Sequence, residues 1–597
     1  MYNRAQSRRS ATSMMRFPAP KKGWIRNENL QKAAKDGAEV LENIFPTLEG
    51  ARLRKGSTKH ATVTDAAVAI MPFNAASGVM FAATATDIYD ITAPADVDTA
   101  ETPIMSSLSS GDWSYTQFST TAGDYLVAVN GQDYAIHYGS SMEPIGPTAV
   151  YELAYDALTG DFATGLTLTG GTSGATATIY AVEKLTATTG VLKIGTVTGT
   201  FQDNETITDS ATGSATENGT VSAGSTITIS GVDTRNLSQV WQSHDRLFFI
   251  EKDTLSAWYL STKSIGGTAT ELPLGSLFRH GGSLLFGGTW SLDSGAGQDD
   301  VCIFVTDQGE IAVYSGTNPA SAATWALVGV YKMGKPLNKH AAFQAGGDLA
   351  IMTEDGIVPV SAATRKDRAA LQSDAITFPI EDAWREVVFG RDTSFPFSAT
   401  LWQSSTMLVI GIPPSGSEDG AAFVANARSG AWCKFTGWDI RCSAVFGDRF
   451  YFGTSDGLVA RGESGGTDIA SGYTGRWVPK FSDGGQASCK MAIHARLQAR
   501  STTAFTPSVQ AFSDYYVGAW DTVSPLAIDA SSTWGTGVWG AFKWGGEGEK
   551  VARTEWQAVS AIGTALSPAF QIASDSTIPP TLELISADMI VEQGAPL

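Results

Sequence analysis

Apolar and polar residues alternate over many short stretches of the chain, and tight turns with glycine or aspartate separate these stretches. Leu349 and Ile351, like Phe450 and Phe452, stand at i and i+2 and therefore share one face of a strand. Turns such as EDG, SDG and DQG supply residues that tolerate the positive φ of a tight hairpin. The pattern predicts a chain built mainly of β-hairpins.

The strand–turn–strand unit recurs along the chain. Neighbouring units begin about 42–59 residues apart, except for one gap of about 121 residues that contains a block of about 75 residues near 160–235. Hairpins at a period of ~40–50 residues are typical of four-stranded propeller blades. A large β-sandwich with ordinary hairpins is the alternative, and the shared period favours the propeller. The seven units begin at Ser77, Ala122, Ser243, Gln298, Gly346, Ser404 and Gly447.

Two regions depart from this repeat. The block near 160–235 alternates Thr, Val and Ile with polar residues and is rich in Gly, which predicts a small β-barrel or sandwich on the surface. After about Tyr473 the predicted strands are longer and the turns richer in Trp. The fold class is therefore mainly β: a β-propeller of about seven blades with an inserted small β-barrel or sandwich domain and a C-terminal β-sandwich domain.

These patterns divide the chain into five parts. We expect a basic N-terminal arm at 1–60, the first blades at 61–159, the inserted domain at 160–235, the remaining blades at 236–472 and the sandwich at 473–597. Helix is scarce. Residues 30–45 have helical composition interrupted at Gly37, and an amphipathic stretch after Pro379 places Ile380, Trp384 and Val388 on one helical face.

Charge is distributed unevenly. The whole chain has 41 Lys and Arg against 60 Asp and Glu, a net charge of −19. Residues 1–60 hold 13 basic and 5 acidic residues, so they carry 13 − 5 = +8 and the remainder carries 28 − 55 = −27. An acidic body argues against gripping nucleic acid over the whole surface, although it is compatible with a conduit that DNA passes without sticking. The basic segment fits an acidic partner, a solvated tail or, by composition, a transit peptide.

Motifs that would carry chemistry are missing from the sequence. The six His residues stand far apart, without HxH or HExxH spacing, and none of the four Cys residues forms a CxxC pair. No nucleophile elbow or phosphate-binding loop occurs, and no apolar run reaches the ~18–20 residues of a membrane span. We therefore predict a protein that is not an enzyme and has no catalytic, metal or cofactor site.

Tryptophans cluster near the C-terminus. Such a cluster forms either a contact surface or part of a buried core, and we take it as a candidate contact surface. Its members are Trp534, Trp539, Trp544 and Trp556.

A motif before the first predicted blade resembles a known family. A Gly-Trp pair is followed by the run GAEVLENIFPT and then by RKG. The arrangement resembles the start of the tail nozzle, or tail tubular, proteins of short-tailed bacteriophages over about 40 residues. The inserted block, from Gly170 to Thr208, resembles a module of phage structural proteins. The motif residues are Gly23, Trp24, Asn43, Phe45, Pro46, Arg54 and Gly56.

The resemblance implies a structural role in the virion tail after assembly in the host cytoplasm. It implies a homo-oligomer, expected to be a hexameric nozzle ring, below the portal-side adaptor. Tail fibres or spikes would attach to it, and genomic DNA would leave through its gated channel without specific binding. No family active-site residues carry over. The alternatives are a carbohydrate-binding, receptor-binding tail protein and a propeller glycosidase, which would need two carboxylates ~5 Å or ~6.5–9.5 Å apart in one pocket.

Overall fold

The computed structural model describes residues 12–27, 34–75, 78–291, 300–390, 396–414, 420–486, 488–501, 507–522, 551–576 and 581–593. Short strands that begin and end at tight turns make up most of these residues. The turns use positive φ where the sequence predicts it: φ is 82° at Gly309 of the DQG turn and 79° at Gly457 of the SDG turn. The predominance of β structure is therefore as expected.

The segment predicted as an N-terminal arm forms strands that pair with distant parts of the chain. The helical prediction for 30–45 is wrong where the structure describes it, because residues 37–42 and 44–46 form strands held between partners from the rest of the fold. The strands are β1 (Thr12–Pro18), β2 (Gly23–Trp24), β3 (Gly37–Glu42), β4 (Ile44–Pro46), β5 (Ala51–Leu53) and β6 (Ser57–Thr62).

The first two blades follow directly. Each is an antiparallel four-stranded sheet in which neighbouring strands along the chain pair. Blade 1 has β7 (Ala69–Phe73), β8 (Val79–Ala83), β9 (Ile88–Asp90) and β10 (Pro103–Met105). Blade 2 has β11 (Ser114–Thr120), β12 (Gly123–Val129), β13 (Ala135–Tyr138) and β14 (Met142–Ile145).

The inserted module forms its own seven-stranded antiparallel sheet with a separate apolar core. Its strands run from Tyr151 to Ala223, against a predicted range of 160–235. They are β15 (Tyr151–Gly160), β16 (Thr167–Gly170), β17 (Thr176–Lys184), β18 (Gly190–Ile194), β19 (Thr206–Thr208), β20 (Ser214–Glu217) and β21 (Ser222–Ala223). A short strand, β22 (Ile229–Ser230), leads back to the propeller.

Blades 3 to 5 continue the ring after a 3-10 turn at Thr234–Asn236. Blade 3 has β23 (Leu237–Ser243), β24 (Arg246–Glu251), β25 (Ser256–Tyr259) and β27 (Thr270–Pro273), and β26 (Gly267–Thr268) pairs with β22. Blade 4 has β28 (Leu284–Ser291), β29 (Asp300–Thr306), β30 (Glu310–Gly316) and β31 (Trp325–Lys332). Blade 5 has β32 (Ala342–Ala345), β33 (Asp348–Thr353) and β34 (Gly356–Pro359).

Helices follow blade 5, in the long gap between the fifth and sixth repeats. They are α1 (Val360–Ala363), α2 (Arg368–Leu371) and α3 (Glu381–Gly390), with 3-10 turns at Gln372–Asp374 and Phe378–Ile380. Ile380, Trp384 and Val388 are buried, as their spacing predicts, and the Trp384 indole donates to the Thr353 carbonyl at 3.0 Å. The short amphipathic helix is thus anchored on blade 5.

Blades 6 and 7 complete the ring. Blade 6 has β35 (Ser398–Trp402), β36 (Met407–Ile412), β37 (Ala421–Asn426) and β38 (Trp432–Thr436). Blade 7 has β39 (Cys442–Phe446), β40 (Arg449–Gly453) and β41 (Leu458–Gly462), and its fourth strand is β6 from the N-terminal segment. The antiparallel register from Leu458 opposite Thr62 to Gly462 opposite Ser57 ties the two ends of the propeller together.

The seven predicted repeats coincide with the seven blades, since each hairpin forms the second and third strands of one sheet. Apolar clusters lie between neighbouring blades rather than inside one. For example, Val459 of blade 7 packs with Tyr89 of blade 1, and Phe249 of blade 3 packs with Val127 of blade 2. Burial of these side chains removes apolar surface from water and drives the blades together. The β-propeller prediction is confirmed.

The C-terminal strands form a β-sandwich, as predicted, and N-terminal strands complete both of its sheets. One sheet joins β42, β47 and β44 to β3, and runs through β2 into blade 6; the other joins β43, β48, β45 and β46 to β1, β4 and β5. These last strands are β42 (Tyr473–Pro479), β43 (Lys490–Ser501), β44 (Ser508–Ser513), β45 (Val551–Thr554), β46 (Gln557–Gly563), β47 (Leu566–Ser574) and β48 (Glu583–Gln593). The propeller and the sandwich therefore share a continuous sheet.

Candidate functional site

The motif residues of the N-terminal segment converge where the propeller meets the sandwich. Asn43 is fully buried with φ of 56°, a conformation that Asn tolerates better than most residues. Its amide nitrogen donates to Thr436 Oγ1 at 2.7 Å in blade 6 and to the Thr474 carbonyl at 2.8 Å in the sandwich. Its amide oxygen accepts from Arg54 Nε at 2.8 Å. One side chain thus connects three parts of the fold.

Arg54 is the centre of this arrangement and is also fully buried. Its two terminal nitrogens donate to the two oxygens of Asp468, at 2.8 Å from Nη1 and 2.5 Å from Nη2. The remaining hydrogens go to the Lys55 carbonyl at 2.9 Å and the Thr436 carbonyl at 2.9 Å. Together with the bond to Asn43, these contacts use all five guanidinium hydrogens. We call Asn43, Arg54 and Asp468 the junction node.

Aromatic rings surround the guanidinium. Its carbon lies 4.0 Å from the centroid of Tyr473, 5.1 Å from Trp438 and 5.4 Å from Phe435. The Trp438 indole donates to Asp468 Oδ1 at 3.0 Å. Burial raises the pKa of the Tyr473 hydroxyl, which donates to the Arg54 carbonyl. The charge and the hydrogen-bonding groups of the node are paired within the protein, and aromatic rings cover the guanidinium. The node therefore holds the fold together and has no free polar group for a ligand.

The other motif residues fit close backbone contacts. A Cβ on Gly56 would lie 2.0 Å from the Thr467 carbonyl oxygen, and one on Gly23 would lie 2.4 Å from that of Trp432. The Trp24 indole donates to the Glu39 carbonyl at 3.1 Å. Phe45 is buried under the Arg52 guanidinium, and the Pro46 carbonyl accepts from Asn426 at 3.0 Å. The sequence motif therefore marks the junction, while Asp468 carries no local signal that would have identified it.

The inner strands of all seven blades line a central channel of about 680 Å³. At the end where these strands begin, Asp112 before blade 2 meets Lys339 and His340 before blade 5. Asp112 Oδ1 lies 2.6 Å from His340 Nε2, and Oδ2 lies 3.0 Å from Lys339 Nζ. Burial alone would raise the pKa of Asp112, but His340 and Lys339 hold it well below its ordinary value. These contacts bridge blades that are three positions apart in the ring.

The candidate Trp surface is described only at one member. Trp556 is exposed at 38%, and the Arg496 guanidinium carbon lies 4.5 Å from its ring. Trp534, Trp539 and Trp544 lie outside the described residues. The outward face of the same sandwich sheet carries Met491, which lies opposite Ile562 on the neighbouring strand.

The described residues lack two features that would indicate a specific kind of function. Among these residues, no group of three or more His, Cys, Asp or Glu side chains has the arrangement of a metal site. Nor does any described helix combine the length and apolarity needed to cross a membrane. Three of the four thiols are buried, and burial raises the pKa of Cys302 and Cys442 to about 12.

The fold and junction define a seven-bladed β-propeller joined to a β-sandwich. No family model and no curated protein matches the chain. Solved structures that align with it include Sqt1 from Saccharomyces cerevisiae, at 11% identity over 68% of this chain and 98% of that chain, with a TM-score of 0.33. YCF48 from Cyanidioschyzon merolae aligns at 11% identity over 68% of this chain and 98% of that chain, with a TM-score of 0.25. The Cps50 (Swd1) propeller domain of Myceliophteria thermophila aligns at 7% identity over 68% of this chain and 99% of that chain, with a TM-score of 0.27. At these scores no property transfers, and the propeller assignment rests on the strand topology.

Proposed function

We propose that the chain is a structural subunit of a short-tailed phage tail, forming the ring-shaped nozzle that conducts and gates DNA during ejection and docks to the adaptor and fibres. The observation that carries this proposal is the junction node. The residues behind the family resemblance, Asn43 and Arg54 above all, are those that fasten propeller to sandwich. A subunit that transmits mechanical load needs such a fixed junction between its domains.

Charge supports the same function. Residues 61–597 carry a net charge of −27, so a conduit lined by this body would repel phosphates and let DNA slide. The propeller's own channel is crossed by the Asp112–Lys339 ion pair. In this proposal, therefore, the conduit is the space enclosed by the ring of subunits.

An exposed sheet face supports contact between subunits. Met14 is 57% exposed, Met491 41% and Ile562 63%, and all three lie on the outward face of one sandwich sheet. Met491 and Ile562 are direct cross-strand neighbours, and exposed apolar side chains that cluster in this way mark interaction sites in soluble proteins. The same face carries charges of both signs: Arg16 and Arg496 flank Asp588, and Glu592 lies opposite Met491. An apolar patch that meets a different surface of the next copy makes a head-to-tail contact, and such a contact generates a ring where its rotation closes.

Sedimentation of the full chain tests this proposal. We expect a ring-sized species for the native protein and for Leu185→Glu, which places a new charge on an exposed position of the inserted module. Met491→Glu combined with Ile562→Glu should release monomers, because the interface would have to bury two unpaired charges. A native protein that stays monomeric at micromolar concentration contradicts the ring. Rings that persist in the double variant contradict this interface.

A further inference from the structure

A second polar junction lies where blade 2 meets the inserted module, at an open groove of about 790 Å³. Its walls come from β12, the hairpin of β13 and β14, the start of β15 and the segment after β21. Volumes of this size are typical of small-molecule sites. The groove is remote from the junction node and plays no part in the proposed ring.

Two buried side chains in the groove wall have unused polar atoms. His137 and Glu143 are direct cross-strand neighbours, and they are 6% and 7% exposed. His137 Nε2 lies 3.0 Å from Ser225 Oγ, and Glu143 Oε1 accepts from Lys193 Nζ at 3.0 Å and from Ser141 Oγ at 3.1 Å. Among the described residues, neither His137 Nδ1 nor Glu143 Oε2 has a hydrogen-bond partner. Buried polar atoms of this kind are nearly always paired, so they point to a missing partner.

The charge of the cluster limits what that partner is. Lys193 Nζ faces three carboxylates: Glu143 at 3.0 Å, Glu152 at 2.5 Å and Glu183 at 3.9 Å. Burial lowers the pKa of His137 to about 4, so its imidazole is neutral at pH 7. The cluster is therefore negative overall and disfavours an anionic ligand. Because the Lys193 ammonium already stands between the carboxylates, a metal ion is also disfavoured.

The groove offers the other contacts that a neutral, hydroxyl-rich ligand needs. Tyr125 lines it half-buried, with its ring centroid 5.9 Å from that of His137. A Cβ on Gly139 would come within 3.0 Å of this ring, so the glycine leaves room for the tyrosine. An aromatic ring suits an apolar C–H face, while hydroxyl groups both donate and accept hydrogen bonds.

We propose that this groove binds a neutral saccharide, with Glu143 accepting from ligand hydroxyls, His137 adding a second polar contact and Tyr125 packing against the sugar face. Glu143 lines the groove, and because Lys193 and Ser141 bind its Oε1, Oε2 is the oxygen left for the ligand. The inserted module thus supplies Lys193 and Glu152 to orient the Glu143 carboxylate. The site is independent of the ring, since none of its residues belongs to the sandwich face.

Calorimetric titration of the full-length protein tests the proposal, with neutral oligosaccharides as the main panel and sialylated oligosaccharides and spermine as comparison ligands. Glu143→Gln removes the charged acceptor with little change in shape. Ala223→Trp fills the groove from an exposed position and leaves every charged residue of the cluster in place. Glu49→Gln removes one carboxylate at an exposed site elsewhere, and melting temperatures establish that each variant is folded.

We expect saturable binding of at least one neutral saccharide by the native protein and by Glu49→Gln. Binding should weaken about tenfold or more in Glu143→Gln, since a charge-assisted hydrogen bond is lost, and vanish in Ala223→Trp. Exclusive binding of spermine or of sialylated glycans would overturn the assignment of ligand class. Saccharide binding that both variants leave unchanged, or no binding at all, would overturn the site.

Discussion

The chain has two polar junctions between domains, and they differ in how completely their buried groups are paired. At the junction node, Arg54 uses every hydrogen of its guanidinium, and Asp468 receives it with both oxygens. At the groove beside the inserted module, Glu143 and His137 each keep a buried atom without a partner among the described residues. A fully paired network fixes geometry, whereas an unpaired buried polar atom points to a missing partner. The comparison assigns a structural role to the first junction and a recognition role to the second.

The largest effect should come from breaking the saturated junction. Arg54→Met leaves the Asp468 carboxylate buried without its cation, and we expect a loss of about 3–5 kcal/mol in the free energy of unfolding. Arg428→Met, at an exposed position on the turn between β37 and β38, should change it by about 0.5 kcal/mol or less. Denaturant unfolding measures both. Equal losses in the two variants would show that the node is not a fixed junction.

A matched pair of amide substitutions sharpens the comparison. Asp468→Asn removes the charge that faces Arg54, and it should cost about 2–3 kcal/mol because charge-assisted bonds are lost. Glu143→Gln should cost about 1 kcal/mol or less, because Oε2 makes no bond and Lys193 keeps Glu152 as a partner. The same unfolding measurement decides between them. A larger loss for Glu143→Gln would reverse the assignment of the two junctions.

The smallest effect concerns acid stability of the inserted module. Burial would raise the pKa of Glu205, but hydrogen bonds from Ser173, Gln202 and Thr172 lower it to about 2. Because the folded pKa lies below the ordinary 4.5, this carboxylate stabilises the module above that pH and loses its contribution as pH falls toward 2. Glu205→Gln should flatten the pH dependence of module unfolding in this range. Hydrogen exchange of the β16 and β19 amides, measured as a function of pH, would follow the unfolding of the module. A pH profile that Glu205→Gln leaves unchanged would contradict the role given to Glu205.

The blades could be predicted from the sequence because the features that define a hairpin lie within a few residues of each other. Alternation defines each hairpin, and turn residues such as Gly309 and Gly457 define where it reverses. Ring closure was not predicted, because β6 pairs with β41, about 400 residues away, and neither strand marks its partner. The helical composition of 30–45 was misleading for Gly37–Glu42, since sheet neighbours override a weak intrinsic propensity.

The two junctions were predictable to different degrees. Asn43 and Arg54 belong to the N-terminal motif, so resemblance identified them before their contacts were known. The groove carries no motif, because the six His residues stand far apart in the sequence and their spacing does not single out His137. The sequence does contain one local indication of the groove: His137 and Glu143 flank the YGSSM turn, so they face each other across a hairpin. The third partner, Lys193, lies about 50 residues further along and becomes a neighbour only in the folded chain.

Electron microscopy of the purified full-length protein by negative staining tests the central claim most directly. A nozzle subunit should form closed rings with one rotational symmetry, six-fold in our proposal, around an open channel. The rings should disperse in the Met491→Glu and Ile562→Glu double variant and persist in Leu185→Glu. Single, separate particles at micromolar concentration would contradict the account.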